Sequence, residues 1–138
     1  NQDAEGLTYL GNGQFVVVDE RPQRAYRFSY QAGGTVLLGS APFATISNYT
    51  PSNIGIEGIS LDPRDGSFVT VKQDNDNNPA RGPQEVRAGA MTFATGGGST
   101  ELPVLFEAGG RVGQAGQRIV APVGGIHCAR CSGSVHIV

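Results

Sequence analysis

Apolar and polar residues alternate in short runs along the first 40 residues, the pattern of strands with one buried face. The runs cover residues 6–10, 15–19, 25–30 and 35–38. Turn-forming stretches GNG, RPQR and QAGG separate them, and Gly11-Asn12-Gly13 favours a tight hairpin because these residue types tolerate positive φ. The pattern predicts an antiparallel meander of four strands.

The same pattern returns in the second half of the chain. GIEGISLDPRDGSFVTVKQ at 55–73 resembles DAEGLTYLGNGQFVVVDE at 3–20, and AMTFAT at 90–95 resembles AYRFSY at 25–30. The run at 97–106 then corresponds to a fourth strand. Repeats of about 40 to 50 residues with four antiparallel strands each are typical of propeller blades. We therefore predict an all-β fold, a partial β-propeller of two four-stranded antiparallel blades.

The repeat also sets the predicted boundaries. Residues 1–106 hold the two blades, at 1–40 and 54–106, and residues 107–138 form a degenerate third blade or an irregular glycine-rich tail. Because propellers typically have about 4 to 8 blades, two blades indicate a fragment of a longer protein or an open assembly, and we favour the fragment.

The sequence DAEGLTYLGNGQFVVVDERPQRAYRF, followed by IEGISLDPRDGSFVTVKQ, resembles the repeating pattern of the SdiA-regulated protein family and of the related esterase-like-activity-of-phytase proteins. The resemblance covers about residues 1–106. It implies an exported bacterial β-propeller, secreted or periplasmic, whose Glu-Gly glutamates lie near the propeller axis and can hold a divalent cation. In this chain those glutamates are Glu5 and Glu57.

The Glu-Gly pairs are the first candidates for chemistry. Two carboxylates from the innermost strands of neighbouring blades would converge, and like charges held close either raise a pKa or recruit a cation. This favours an oxygen-rich calcium site at Glu5 and Glu57. The alternative is structural, with each glutamate accepting backbone N–H bonds at the start of its blade. Asp19 and Glu20 are expected to pair with Arg21 or Arg24 on the surface.

A second candidate cation site lies in DNDNNPARGPQE, between the second and third strands of the second unit. Asp74, Asp76, Asn78 and Glu85 occupy positions 1, 3, 5 and 12 of the EF-hand pattern. Pro79 replaces the glycine at position 6, and no amphipathic helices flank the loop, so we expect a calcium loop of another geometry or a solvated polar loop.

Two cysteines and two histidines cluster near the end of the chain. Cys128 and Cys131 form a C-x-x-C, with His127 before it and His136 after it. The spacing suits a disulfide, a zinc site or free thiols, and an exported protein favours the disulfide.

Composition limits the partners. The 10 basic and 12 acidic residues give a net charge of -2 with no block of one sign, which gives no electrostatic reason to expect nucleic acid as a partner. No apolar run approaches the roughly 20 residues needed to span a bilayer, so we expect no membrane insertion. Small molecules or proteins remain as partners, with self-association through open blade faces. We predict a calcium-stabilised binding or scaffold module. The alternatives are a metal-dependent phosphoesterase or esterase of phytase-like type, and a structural protein that self-assembles through exposed strand edges.

Overall fold

A computed structural model describes residues 3–48, 55–73, 84–98 and 101–108, with side chains described to residue 105. Within these ranges the chain is all-β apart from one 3₁₀ turn at Leu38–Ser40. The strands, in chain order, are β1 (Ala4–Gly11), β2 (Gln14–Asp19), β3 (Arg24–Ser29), β4 (Phe43–Thr45), β5 (Ile56–Leu61), β6 (Phe68–Lys72), β7 (Gln84–Gly89) and β8 (Val104–Ala108).

The strands form two four-stranded antiparallel meanders. The first sheet has the order β1-β2-β3-β4 and the second the order β5-β6-β7-β8. The β1–β2 hairpin turns at Asn12 and Gly13, both at positive φ, as the two-residue loop requires. The predicted all-β fold of two four-stranded sheets is confirmed.

The fourth strand of the first sheet lies later in the chain than predicted. Residues 35–38 form no strand, and Leu37 is 77% exposed. Instead β4 pairs Phe43 with Tyr26 and Thr45 with Arg24. The segment at 43–46 occupies this edge of the sheet because it buries Ala44 and Ile46 in the core. The run at 35–38 does not reach the core.

The third strand of the second sheet lies earlier than predicted. Residues 90–95 form no strand of that sheet, and β7 is built from the polar run QEVRAG, Gln84–Gly89. Met91 and Phe93 pack against the core beyond the end of β7. The fourth strand begins at Val104, within the predicted run at 97–106.

The core lies between the two sheets. In the first sheet, Thr8, Val16 and Arg27 are opposite one another, as are Gly6, Val18 and Ala25, so these residues share one face. In the second sheet, Ile59, Thr70 and Arg87 share a face with Leu61 and Phe68. We call these the two inner faces. Their buried side chains join Ile46, Ile56 and Leu102 in a single cluster.

The second unit also covers the outer edge of the first sheet. The backbone of Phe43 exchanges hydrogen bonds with Ala94, and the N–H of Thr45 donates to the carbonyl of Gly98 at 3.1 Å. The N–H of Leu102 then donates to the carbonyl of Ile46 at 3.0 Å. The β4 edge is therefore paired along its length, which removes it as a site for strand addition.

Candidate cation site at the inner strands

Both Glu-Gly pairs are β-bulges. In β1, Ala4 pairs with Asp19 and Gly6 with Val18, so Glu5 is the additional residue. In β5, Ile56 pairs with Lys72 and Gly58 with Val71, so Glu57 takes the same role. A bulge changes the direction in which its additional side chain points, and bulges are frequent beside functional sites. The repeated sequence thus produces a repeated local geometry.

Gly6 has a separate task, which is to let the two innermost strands approach each other. A Cβ added to Gly6 would lie 2.8 Å from the Cα of Gly58 and 2.9 Å from the amide nitrogen of Ile59. No side chain fits in that space. The N–H of Leu61 donates to Oγ1 of Thr8 at 3.2 Å, which fixes the register of β5 against β1.

An acidic cluster forms where these strands meet. Carboxylate oxygens of Asp3, Glu5 and Glu20 all lie within 4.8 Å of one another. Glu5 is exposed, Asp3 half-buried and Glu20 buried. We call Asp3, Glu5, Glu20 and the half-buried Glu57 the acidic cluster, because the charges of the other three carboxylates all act on Glu57.

Electrostatics in the cluster favour protonation or a bound cation. Burial raises the pKa of Glu57, and the neighbouring charges of Glu5, Glu20 and Asp3 raise it further. Burial also raises the pKa of Glu20, with Asp3 adding to the effect and a hydrogen bond from the N–H of Gly55 opposing it. Four carboxylates that repel one another offer the oxygen ligands that hard divalent cations prefer.

The pairing predicted for the acidic residues at the end of β2 is wrong. Asp19 is buried and accepts a hydrogen bond from the N–H of Asp3 at 3.0 Å, while Glu20 accepts from Gly55 at 3.1 Å. Arg21 pairs with Asp3 instead, at 3.1 Å. The structural alternative expected Glu5 and Glu57 to accept hydrogen bonds from backbone N–H groups. In the structure, Asp19 and Glu20 accept such bonds.

Sequence reasoning placed Glu5 and Glu57 together. The charge of Glu5 acts on Glu57, while the carboxylates whose oxygens lie within 4.8 Å of one another are Asp3, Glu5 and Glu20. Sequence reasoning missed Asp3 and Glu20. The signal for Asp3 was its position two residues before Glu5, on the same strand entrance. Glu20 gave no signal, because its partner Gly55 lies in the other unit.

Comparison with known families gives a match over the first part of the chain. The family model described as SdiA-regulated matches residues 1–82, which include both Glu-Gly bulges and the whole acidic cluster. The chain belongs to the SdiA-regulated family. No solved structure gives a significant match to it.

The second predicted cation loop of this SdiA-regulated protein is described only at its end. Asp74, Asp76 and Asn78 lie outside the described residues. Glu85 belongs to β7, where its Oε2 accepts a hydrogen bond from Nε of Arg87 at 2.6 Å with both side chains largely buried. Arg87 also donates to Glu101 at 3.2 Å and to the carbonyl of Leu102 at 2.7 Å. Glu85 is therefore an ion-pair partner within the sheet.

The predicted cysteine and histidine site lies outside the residues that the structure describes. His127, Cys128, Cys131 and His136 are all outside the described residues, so the disulfide, zinc and thiol alternatives stay predictions. Within the described ranges, no helix has the length and apolar character needed to cross a membrane.

Proposed function

We propose that this SdiA-regulated protein is a propeller-type binding or scaffold module whose acidic cluster holds a divalent cation, with calcium as the first candidate. The observation that supports the proposal is the convergence of carboxylate oxygens from Asp3, Glu5 and Glu20 within 4.8 Å. Calcium accepts six to eight oxygen ligands at about 2.3–2.6 Å, and its flexible geometry suits carboxylates of unequal burial. The cation would bridge the two sheets, since Glu57 comes from β5 and the other three residues from the first unit.

Titration calorimetry with calcium tests the proposal. We expect one site in the wild-type chain, with affinity lowered by about tenfold or more in Glu5→Gln and Glu57→Gln, because each removes a charged ligand while keeping its shape. Asp65→Asn is the matched control: it removes one exposed carboxylate charge, and its amide oxygen can still accept the N–H of Ser67. Equal affinity in all four proteins would contradict the proposal.

A phytase-like hydrolase would use the same carboxylates, with the bound cation polarising a phosphate or acyl ester and activating water. The pair of β-bulges beside the converging carboxylates is the observation that favours this second candidate, because bulges are frequent next to active sites. Hydrolysis of a nitrophenyl phosphate or ester that needs calcium and disappears in Glu57→Gln would support it. Calcium binding without hydrolysis would support the binding module and contradict the hydrolase. Export to the periplasm or the medium stays a prediction, as does a small-molecule or protein partner.

A further inference from the structure

Arg21 places a positive charge of the chain itself beside the acidic cluster. It lies in the turn between β2 and β3, directly after Glu20. Its Nε donates to Oδ2 of Asp3 at 3.1 Å. In the part of the chain that the structure describes, Arg64 and Arg87 form their ion pairs with acidic residues outside the cluster. One side of the cluster therefore already holds a cationic group, which is separate evidence that these carboxylates attract positive charge.

The position of Asp3 does not depend on Arg21. The N–H of Asp3 donates to Oδ1 of the buried Asp19 at 3.0 Å, and the carbonyl of Asp3 accepts the N–H of Glu20 at 2.9 Å. These two hydrogen bonds hold the backbone of Asp3 against the end of β2. Removal of the Arg21 side chain would therefore leave the Asp3 carboxylate in the cluster.

The guanidinium of Arg21 acts on more than one carboxylate and can move away at little cost. Burial raises the pKa of Glu20 and the charge of Asp3 adds to this effect, while the charge of Arg21 is among the influences that lower it. The side chain of Arg21 is 51% exposed. An ion pair with that exposure contributes little to stability, so water can replace Asp3 as the partner of Arg21.

We propose that Arg21 is an internal competitor for the divalent cation and sets the calcium concentration at which the acidic cluster fills. The inference rests on the proposed function. A cation that takes Asp3 as a ligand must displace the guanidinium or bind beside its positive charge, and either event weakens binding. Loss of the Arg21 charge should therefore strengthen calcium binding. Loss of a ligand, or of a residue that positions one, would weaken it.

Titration calorimetry with calcium near neutral pH and at low salt tests the proposal. Arg21→Gln should lower the dissociation constant by about three- to tenfold, and the difference from wild type should shrink at high salt. Arg21→Lys keeps the charge and should bind calcium much as wild type does. Arg64→Gln is the matched control, because it makes the same change in net charge and its Nε also pairs with an aspartate, Asp62, outside the cluster.

Thermal unfolding gives a second readout. At one fixed calcium concentration, the rise in melting temperature over the value in EDTA should be larger for Arg21→Gln than for wild type or Arg64→Gln, because tighter binding stabilises the folded state more. Wild-type calcium binding that Arg21→Gln leaves unchanged or weakens, or that Arg64→Gln strengthens equally, would overturn the role of Arg21 and leave the proposed cation site. No calcium binding by any of the four proteins would overturn both.

Discussion

At the scale of single residues, the acidic cluster combines carboxylates in different surroundings. Glu20 is buried beside an N–H donor, Glu57 is half-buried, and Glu5 faces water. Sequence reasoning could find Glu5 and Glu57, because their shared Glu-Gly context marks equivalent positions. It could not find Glu20, because the burial of that side chain depends on Gly55, 35 residues later. Contacts between the two repeat units leave no signal in the local sequence around either residue.

The pKa of Glu57 gives a prediction about pH. A pKa raised above its ordinary value of 4.5 means that the folded state binds more protons than the unfolded state just above that pH. The stability that Glu57 contributes is complete below pH 4.5 and is lost as the pH rises through the folded-state value. In EDTA at pH 7, Glu57→Gln should therefore raise the free energy of unfolding, with little change at pH 4.

Urea denaturation of wild type and Glu57→Gln at both pH values checks this difference. Asp65→Asn serves as control, because Asp65 lies outside the cluster and its pKa is lowered by the hydrogen bonds of Ser67. A variant that is less stable than wild type at pH 7 in EDTA would show that the Glu57 carboxylate stabilises the cation-free fold.

Two ion pairs with the same shortest distance should differ in their contribution to stability, because they differ in burial. Arg87 contacts Glu85 and Arg64 contacts Asp62, each at 2.6 Å and two residues apart, but Arg87 is 8% and Arg64 83% exposed. Arg87→Gln leaves Glu85 and the carbonyl of Leu102 without their charged partner, so it should cost about 3 kcal/mol. Arg64→Gln should leave stability unchanged, although Arg64 holds the pKa of Asp62 at about 2. Denaturant midpoints compare the two; equal losses would contradict the account.

At the scale of elements, local alternation identified β1, β2, β3, β5 and β6, whose apolar positions alternate within hairpins. It failed where two segments compete for one edge. The run at 35–38 has a strand-like pattern, but the segment at 43–46 buries more apolar surface against the second sheet. It also failed at β7, where Arg87 is tolerated in the core only because Glu85 and Leu102 satisfy its charge and hydrogen bonds.

The close approach of β1 and β5 makes Gly6 the most sensitive glycine of the two bulges. In Gly6→Ala the added Cβ would meet backbone atoms of Gly58 and Ile59 below 3.0 Å, and the two strands must separate. We expect a loss of about 2 kcal/mol in unfolding free energy. In Gly58→Ala the Cβ meets only a methyl of Val71, at 3.0 Å, and the loss should be smaller. Thermal unfolding of both variants tests whether Gly6→Ala loses more stability than Gly58→Ala. Equal losses would refute this expectation.

At the scale of the whole molecule, one repeated unit explains the architecture. Each unit supplies a bulged Glu-Gly strand, a hairpin partner and two outer strands, and the faces of successive units fit head to tail. Membership of the SdiA-regulated family agrees with this repeat. The acidic cluster lies where the innermost strands meet, so a cation bound there would strengthen the contact between sheets.

The most direct test is carbon-detected NMR of the side-chain carboxylates during a calcium titration. We predict that the resonances of Asp3, Glu5, Glu20 and Glu57 shift together and saturate at a single bound calcium ion, because one ion replaces their mutual repulsion with shared coordination. The resonances of Asp62 and Asp65, which lie outside the cluster, should not shift. Shifts of those two resonances alone, or of none in the cluster, would contradict the account of the acidic cluster as a cation site.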